Sequence, residues 1–319
     1  MLFLTSLARA AGADPARPTN FSSKVTAIVP PTAVARFEIV GGDSFLSAKV
    51  EPGHTVVVMG YENEPYLRVN ADGSIDENTK SPAVALNANR YGATRPDPDA
   101  DAKAEPVWTR KGGGGEIVWH DHRVHWMSTS TPPGGTNYTA KWTVPVVVDG
   151  AVTSVNGTLA LLPAPSDYWI WIVAAVAVGA LAGIAVGSRG SDSRVKPIGL
   201  AGAAAVVLAI ALATEIATPA LVGRRSAVPV LAGLALVTLV VAAVVRSPYY
   251  RSALVDGAGV AFVLVAWLSR SAVSHAVLVS DVAGWLQRLV FSVALASVVA
   301  IVAARIPRPA LPDPRKVPA

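Results

Sequence analysis

The segment Tyr168-Trp-Ile-Trp-Ile-Val-Ala-Ala-Val-Ala-Val-Gly-Ala-Leu-Ala-Gly-Ile-Ala-Val-Gly187 decides the fold. It carries no charged residue, and crossing the hydrocarbon of a bilayer takes about 20 mostly apolar residues. Backbone N–H and C=O groups find no water there, so a stretch like this must bond internally as a helix. Four more stretches share its character: Ile198–Val222, Val228–Val245, Ala253–Leu268 and Trp285–Ala304. The fourth of the five is short, and Ile198–Val222 contains Glu215. Residues 166–305 therefore read as an all-α bundle of about five transmembrane helices, with residues 306–319 as a tail.

Outward from this segment the composition changes abruptly. Hydrophobic residues make up 52% of the 319 and charged residues 15%, against about 25% charged in soluble domains. Ala, Val, Leu, Ile and Gly dominate after Ser166, whereas Asp, Glu, Asn and Pro crowd the residues before it. The net charge of +5 lies mainly in short loops between apolar stretches and in the tail. Topology accounts for it, and nucleic acid is excluded as a partner. Arg189, Arg194, Lys196, Arg246, Arg251, Arg305, Arg308, Arg315 and Lys316 fall on one side of the spans, against Arg224, Arg225, Arg270 and Arg288 on the other. The positive-inside rule then places the C-terminus in the cytoplasm and the N-terminal half outside a bacterial cell membrane. Tyr168, Trp169, Trp171, Trp267 and Trp285 mark the outer aromatic belt. Gly179, Gly183 and Gly187 share one helical face, suited to close packing within the bundle or to a homo-oligomer.

The chain has no cysteine, which rules out disulfides, thiolate metal sites, Fe–S clusters and Cys-ligated copper. Residues 1–18 resemble a partial signal peptide, with Ala8-Arg9-Ala10 as a small-x-small cleavage site. In residues 19–165, β-prone runs alternate with turn chemistry: Lys24–Val29, Val34–Val40, Phe45–Val50, Thr55–Met59, Tyr66–Val69, Glu116–Trp126, Lys141–Val148 and Val152–Leu162. Glu51-Pro-Gly-His54 suits a type II turn, and Asp149-Gly150 is a hairpin signal. The expected fold here is an all-β sandwich, Ig-like or cupredoxin-like, or else a Greek-key barrel, outside the cytoplasm. Gly92–Gly115 reads as a flexible solvated loop. Its Asp97, Asp99 and Asp101 open like an EF-hand but meet Ala102 and Trp108 where Gly and Glu are needed.

One segment concentrates ligand chemistry: Trp119-His-Asp-His-Arg-Val-His-Trp-Met127 holds three of the five histidines. On a strand His120 and His122 face the same way, whereas His125 joins them only at a bend. Met127 adds a thioether suited to Cu(I), and imidazole suits Cu(II) and Zn(II). His54 and Glu62 are candidates to complete the shell. A structural alternative stands beside this one, with Asp121 paired to Arg123, both tryptophans in the core and the histidines hydrogen-bonded among them. Copper is the favoured metal, with zinc as the alternative.

The segments Tyr61-Glu-Asn-Glu-Pro-Tyr-Leu-Arg-Val69 and Trp119–Met127 resemble those of uncharacterised bacterial polytopic membrane proteins in which a secreted β domain precedes a few helices. The architecture is loosely similar to the CopC and CopD copper-resistance proteins, whose pairing of a periplasmic β-sandwich copper binder with a polytopic protein implies copper handling and a metal-handling partner. The chain departs from that pattern in lacking an N-terminal histidine of the CopC type, since Ala11 begins Ala-Gly-Ala, and an intramembrane histidine pair.

The leading expectation is thus a non-enzymatic, membrane-anchored metal binder that handles copper. A docking or assembly protein with a structural His/Trp cluster is the second. A small transporter with a sensing ectodomain is the third, with Glu215, His275 and Asp281 along its pathway.

Overall fold

The computed structural model describes residues 7–9, 15–92, 94–95, 97–187, 194–218 and 226–306. Most of the leader segment, the loop after Gly187, Arg224, Arg225 and the tail lie outside these. Two compact units emerge. The first is Met1–Ser166 with Thr214–Arg225 and Ser274–Val282; the second is Asp167–Ala213, Ser226–Val273 and Ala283–Ala319.

The first unit is an antiparallel β domain. Its strands are β1 (Leu7–Arg9), β2 (Phe21–Val29), β3 (Ala35–Val40), β4 (Phe45–Val50), β5 (Val56–Met59), β6 (Pro65–Val69), β7 (Ile75–Asn78), β8 (Trp108–Trp119), β9 (Thr139–Val148) and β10 (Ala151–Leu161), with a short helix α1 (Ala83–Leu86). They follow one continuous path, β2-β10-β9-β5-β6-β7-β8-β4-β3, with β1 added parallel to β8. The two ends of the path, β2 and β3, approach each other. The sheet is thus nearly closed into a barrel rather than split cleanly into two facing layers. Leu46, Val56, Val58, Tyr66, Leu67, Ile117, Trp119, Val144 and Val146 fill its interior.

The corner is made by β8. Its first half pairs with β7 and its second with β4. Between them Gly114 and Gly115 take φ of +97° and +72°, a conformation strained for residues with a side chain. The glycine run is a bend in a long strand, which corrects the reading of Gly92–Gly115 as a solvated loop for residues 108–115, while the described residues from Gly92 to Val107 form a largely exposed loop. Within that segment Asp97 and Asp101 accept the backbone N–H groups of Asp99 and Lys103, at 2.9 and 2.8 Å.

Strand β7 escaped the sequence reading because Ile75-Asp-Glu-Asn78 looks like a turn. All of it is buried, and its charges are paired: Asp76 with Arg68 and Arg110, Glu77 with Lys111 at 2.6 Å. Asn78 donates to Pro65 O and accepts from Val107 N. The hairpin at Asp149-Gly150 forms as expected, both residues with positive φ. This unit also draws on a segment far along the chain, because Thr19 and Val277 exchange N–H···O bonds of 3.0 and 2.9 Å and Ala276 N donates to Asn20 Oδ1.

The second unit is helical: α2 (Tyr168–Gly187), α3 (Val195–Ala217, the last turn in the first unit), α4 (Val228–Val244), α5 (Pro248–Ser269), α6 (Ser271–Ser274) and α7 (Gly284–Ala303). Among the described residues four helices are long and apolar enough to cross a membrane, α5 running on into α6; α4 is apolar but shorter. Val173, Val178, Leu181, Val230, Leu234, Val237 and Val260 are exposed, so the outer faces are apolar, as contact with lipid requires. Inside, small residues let backbones approach. A Cβ on Gly179 or Gly183 would lie 2.4 or 2.5 Å from the carbonyl oxygens of Ala296 or Ala300 in α7. Of the two uses read for this glycine face, the structure shows the first: at Gly179 and Gly183 it packs against the chain's own α7.

Candidate functional site

Strand β8 ends at Trp119, seven residues short of the expected Trp126, because the chain turns: Val124 N donates to Asp121 O at 3.0 Å. The alternation expected of a strand fails here, and the residues of the motif divide by another rule. Asp121, fully buried, accepts from Trp119 Nε1 (3.0 Å), Arg123 N (3.1 Å), Arg123 Nε (2.8 Å) and Arg123 Nη2 (2.7 Å). Arg123 also donates to Met59 O and Gly60 O at the end of β5, and its guanidinium lies 4.8 Å from the Tyr61 ring centroid. Burial opposes its charge, but the Asp121 carboxylate outweighs this and raises its pKa. Tyr61 accepts from His122 N (2.8 Å) and donates to Asn87 Oδ1 (2.5 Å), and burial raises its own pKa. Glu64, also buried, accepts from Ser81 Oγ at 2.6 Å and from Glu62 N at 2.9 Å. These contacts tie β5, β6 and β8 together, and the structural alternative describes Trp119, Asp121 and Arg123 well.

The imidazoles behave differently. Each lies against a backbone carbonyl: His120 Nδ1 to Ser44 O at 2.6 Å, His122 Nε2 to Asn89 O at 3.0 Å, and His125 Nδ1 to Trp126 O at 3.3 Å. A carbonyl only accepts, so each of these nitrogens carries the proton, and the other ring nitrogen keeps its lone pair in the neutral ring. Metal-ligating histidines are held in this way. His125 is central, its ring edge-on to His122 at 5.3 Å and to His120 at 6.1 Å. The bend expected of His125 is present; the pairing of His120 with His122 is not what organises the cluster. His120 instead stacks on Phe45 at 4.4 Å.

His125 Nε2 is buried with no hydrogen-bond partner among the described residues. Burial, then the charge of nearby Arg90, pushes this ring's pKa down to about 3, so it is neutral at ordinary pH. Arg90 is held by buried Asp43 at 2.5 Å. His122, His125 and Met127 line one cavity of about 350 Å³ with Trp126, Tyr138 and Trp142. Gly92, with φ of +63°, brings backbone against the His122 and Met127 side chains. A Cβ there would sit 2.9 Å from His122 Cε1 and 3.6 Å from the Met127 methyl. A second cavity of about 490 Å³ lies beyond Trp126 and takes in His120, Arg90, Arg17 and His275.

Other expected ligands go elsewhere. His54 Nδ1 bonds Asp149 Oδ2 at 2.7 Å, at the opposite end of β5 from Met59 and Gly60. The exposed Glu62 lines neither cavity. Among the described residues no group of three or more His, Asp or Glu side chains is arranged to hold an ion. The set brought together is two imidazoles and a thioether. Glu215, in the last turn of α3, and His275 and Asp281, between α6 and α7, are grouped with the first unit; near them Ser280 Oγ donates to Thr214 O. Sequence reasoning missed Ser44 and Asn89, whose carbonyls orient two of the imidazoles, and Arg90 and Gly92 beside them, all in loops with no ligand signature. The chain matches no protein-family model, no curated protein and no solved structure.

Proposed function

We propose that the β unit binds a soft transition-metal ion, copper as Cu(I), and that the helices hold it at the outer face of a bacterial membrane as part of copper handling. The observation that carries this is His125 Nε2: buried, neutral and unpartnered, it shares a cavity with His122 and Met127. An unsatisfied buried acceptor costs about 1–3 kcal/mol, and a metal ion would satisfy it. His122 would offer Nδ1, His125 Nε2 and Met127 its sulfur. Two imidazoles with a thioether are a soft set that favours Cu(I), with Zn(II) as the alternative. For orientation, the arginines and lysines of the short loops favour an outer β unit and a cytoplasmic C-terminus, with α4 as a fifth, thin-end span.

The test is titration of the whole chain in detergent with Cu(I) and Zn(II) against a chromophoric competitor. Wild type should take up Cu(I) at micromolar concentration. His122→Ala with His125→Gln should abolish binding while the fold is kept, and Met127→Leu should weaken Cu(I) and leave Zn(II) unchanged. No uptake by wild type, or equal loss of both metals in Met127→Leu, overturns the proposal. The second reading is a docking protein, favoured by the contacts that commit Asp121, Arg123 and Tyr61 to structure. It predicts no uptake with the histidine variants folded.

A further inference from the structure

The helical unit carries two cavities that share residues. One is a groove of about 330 Å³ between α2, α3 and α7, walled by Val178, Gly183, Leu200, Ala203, Val293 and Ala300 and almost wholly apolar. The other, about 310 Å³, lies at one end of the first and is lined by Lys196, Arg251 and Arg305 with Pro197, Pro248 and Ser252. Val186, Lys196 and Ala304 belong to both, so an apolar trough runs directly into a cationic cup.

Each cation is fixed by its place in the fold. Arg251, buried in the first turn of α5, donates to Val245 O and Arg246 O just past the end of α4, where helix carbonyls lack intrahelical partners. Lys196 stands in the first turn of α3. Arg305 follows α7 and pairs with Asp256. Three cations face one carboxylate among these residues, at the end of an apolar groove whose outer wall is lipid-facing.

We propose that this composite site binds one anionic phospholipid of the bilayer, its phosphate in the cup and an acyl chain in the groove. Charge complementarity selects the headgroup, because a cluster of cations between transmembrane helices is a binding site for anionic headgroups. The groove selects a lipid over free phosphate, because it offers apolar surface only a chain can fill. The cup lies on the side of the spans where the basic loops gather, the leaflet richer in anionic lipid under the proposed orientation. The site is independent of the histidine cluster, so either proposal can fail without the other.

The experiment reconstitutes the full chain in nanodiscs of phosphatidylcholine doped with phosphatidylglycerol, and counts retained lipid by native mass spectrometry on release into detergent. Wild type should retain phosphatidylglycerol in preference to phosphatidylcholine. Lys196→Gln with Arg305→Gln should lower that preference by about fivefold for each charge removed. Gly199→Leu tests the groove without touching the charges: Gly199 lines it and has open space where a Cβ would stand, so retention of both lipids should fall. Should the double variant fail to fold, Gly199→Leu and the single Lys196→Gln carry the test. Equal retention of the two lipids by wild type, an unchanged preference in the charge variants, or displacement of phosphatidylglycerol by inorganic phosphate alone overturns the proposal.

Discussion

Asp121→Ala removes one carboxylate and strands an arginine. In the folded protein Asp121 accepts N–H groups from Trp119 Nε1 and from Arg123 N, Nε and Nη2, and its side chain is wholly buried while that of Arg123 is 18% exposed. Breaking a buried ion pair by deleting one partner costs about 3–5 kcal/mol, because the survivor keeps an uncompensated charge. The loss of the Trp119 bond belongs to the same network and does not add in full. A domain is stable by about 5–15 kcal/mol, so the variant should be close to unfolding in this unit and unaffected in the helices. Hydrogen–deuterium exchange of the intact chain in detergent reads the two separately. The slowest amides of β5 and β8 should exchange about 10²- to 10⁴-fold faster, at roughly tenfold per 1.4 kcal/mol. Amides of α5 and α7 should not change. Asp121→Leu with Arg123→Met should recover most of the protection, since an apolar pair of similar volume is often neutral against a buried ion pair. Less than tenfold acceleration in Asp121→Ala, or a double variant no better than the single, refutes the assignment of this pair as the tie between β5 and β8.

Gly183→Ala should destabilise the helical unit by about 1–3 kcal/mol through overpacking, since its Cβ would lie 2.5 Å from Ala300 O; thermal unfolding in detergent checks it, with Gly233→Ala, where nothing lies within 4 Å, as the unaffected control. Equal melting of the two variants would remove the α2–α7 contact. A third prediction concerns acid: burial works against Asp76, but bonds from Arg68, Asn70 and Arg110 prevail and hold its pKa down to about 2. A carboxylate depressed in the folded state stabilises it above the unfolded value, about 3.9, and that contribution is lost as pH falls from there through about 2. The full shift would be worth about 2.5 kcal/mol, reduced to about 1 kcal/mol because the partner Arg110 is largely exposed and its charge is screened by solvent. Asp76→Asn should therefore be less stable than wild type by that amount at pH 7 and match it near pH 2, and a constant difference across the range would sink the argument.

The membrane helices were legible because lipid imposes one rule, internal hydrogen bonding over a fixed thickness, and Tyr168–Gly187 obeys it residue by residue. The β domain was legible where strands alternate or turns have strict chemistry, as at Asp149-Gly150. It was opaque at β7, whose Asp76 and Glu77 are buried only because Arg68, Arg110 and Lys111 arrive from neighbouring strands. Local sequence does not announce such pairing. The glycines of β8 were misread for a related reason: flexibility and a strained corner call for the same residue, and only the strands on either side distinguish them. In the candidate site the histidines stood out, but not their partners. Ser44, Asn89 and Trp126 hold the rings through backbone carbonyls, and any residue type supplies a carbonyl.

What separates ligand from scaffold inside Trp119–Met127 is how completely each polar group is met. The turn at Asp121 folds Arg123 back onto the carboxylate and sends it towards β5, so neighbours in sequence face different surroundings. Asp121 sits among four N–H bonds, and Arg123 spreads its donors over three acceptor residues. Two positions on, His125 is as deeply buried, yet its Nε2 meets no hydrogen-bond donor among the described residues. Arg123, Ser128 and Tyr138 also line the cavity, yet His125 Nε2 bonds none of these donors, and its other polar neighbours there are a second imidazole and a thioether. Neither of those donates strongly, and both coordinate. The same lining that leaves the nitrogen unsatisfied as a hydrogen-bond acceptor suits it as a ligand to a soft cation. The metal reading therefore rests on the lone pair of His125 rather than on the number of histidines in the motif.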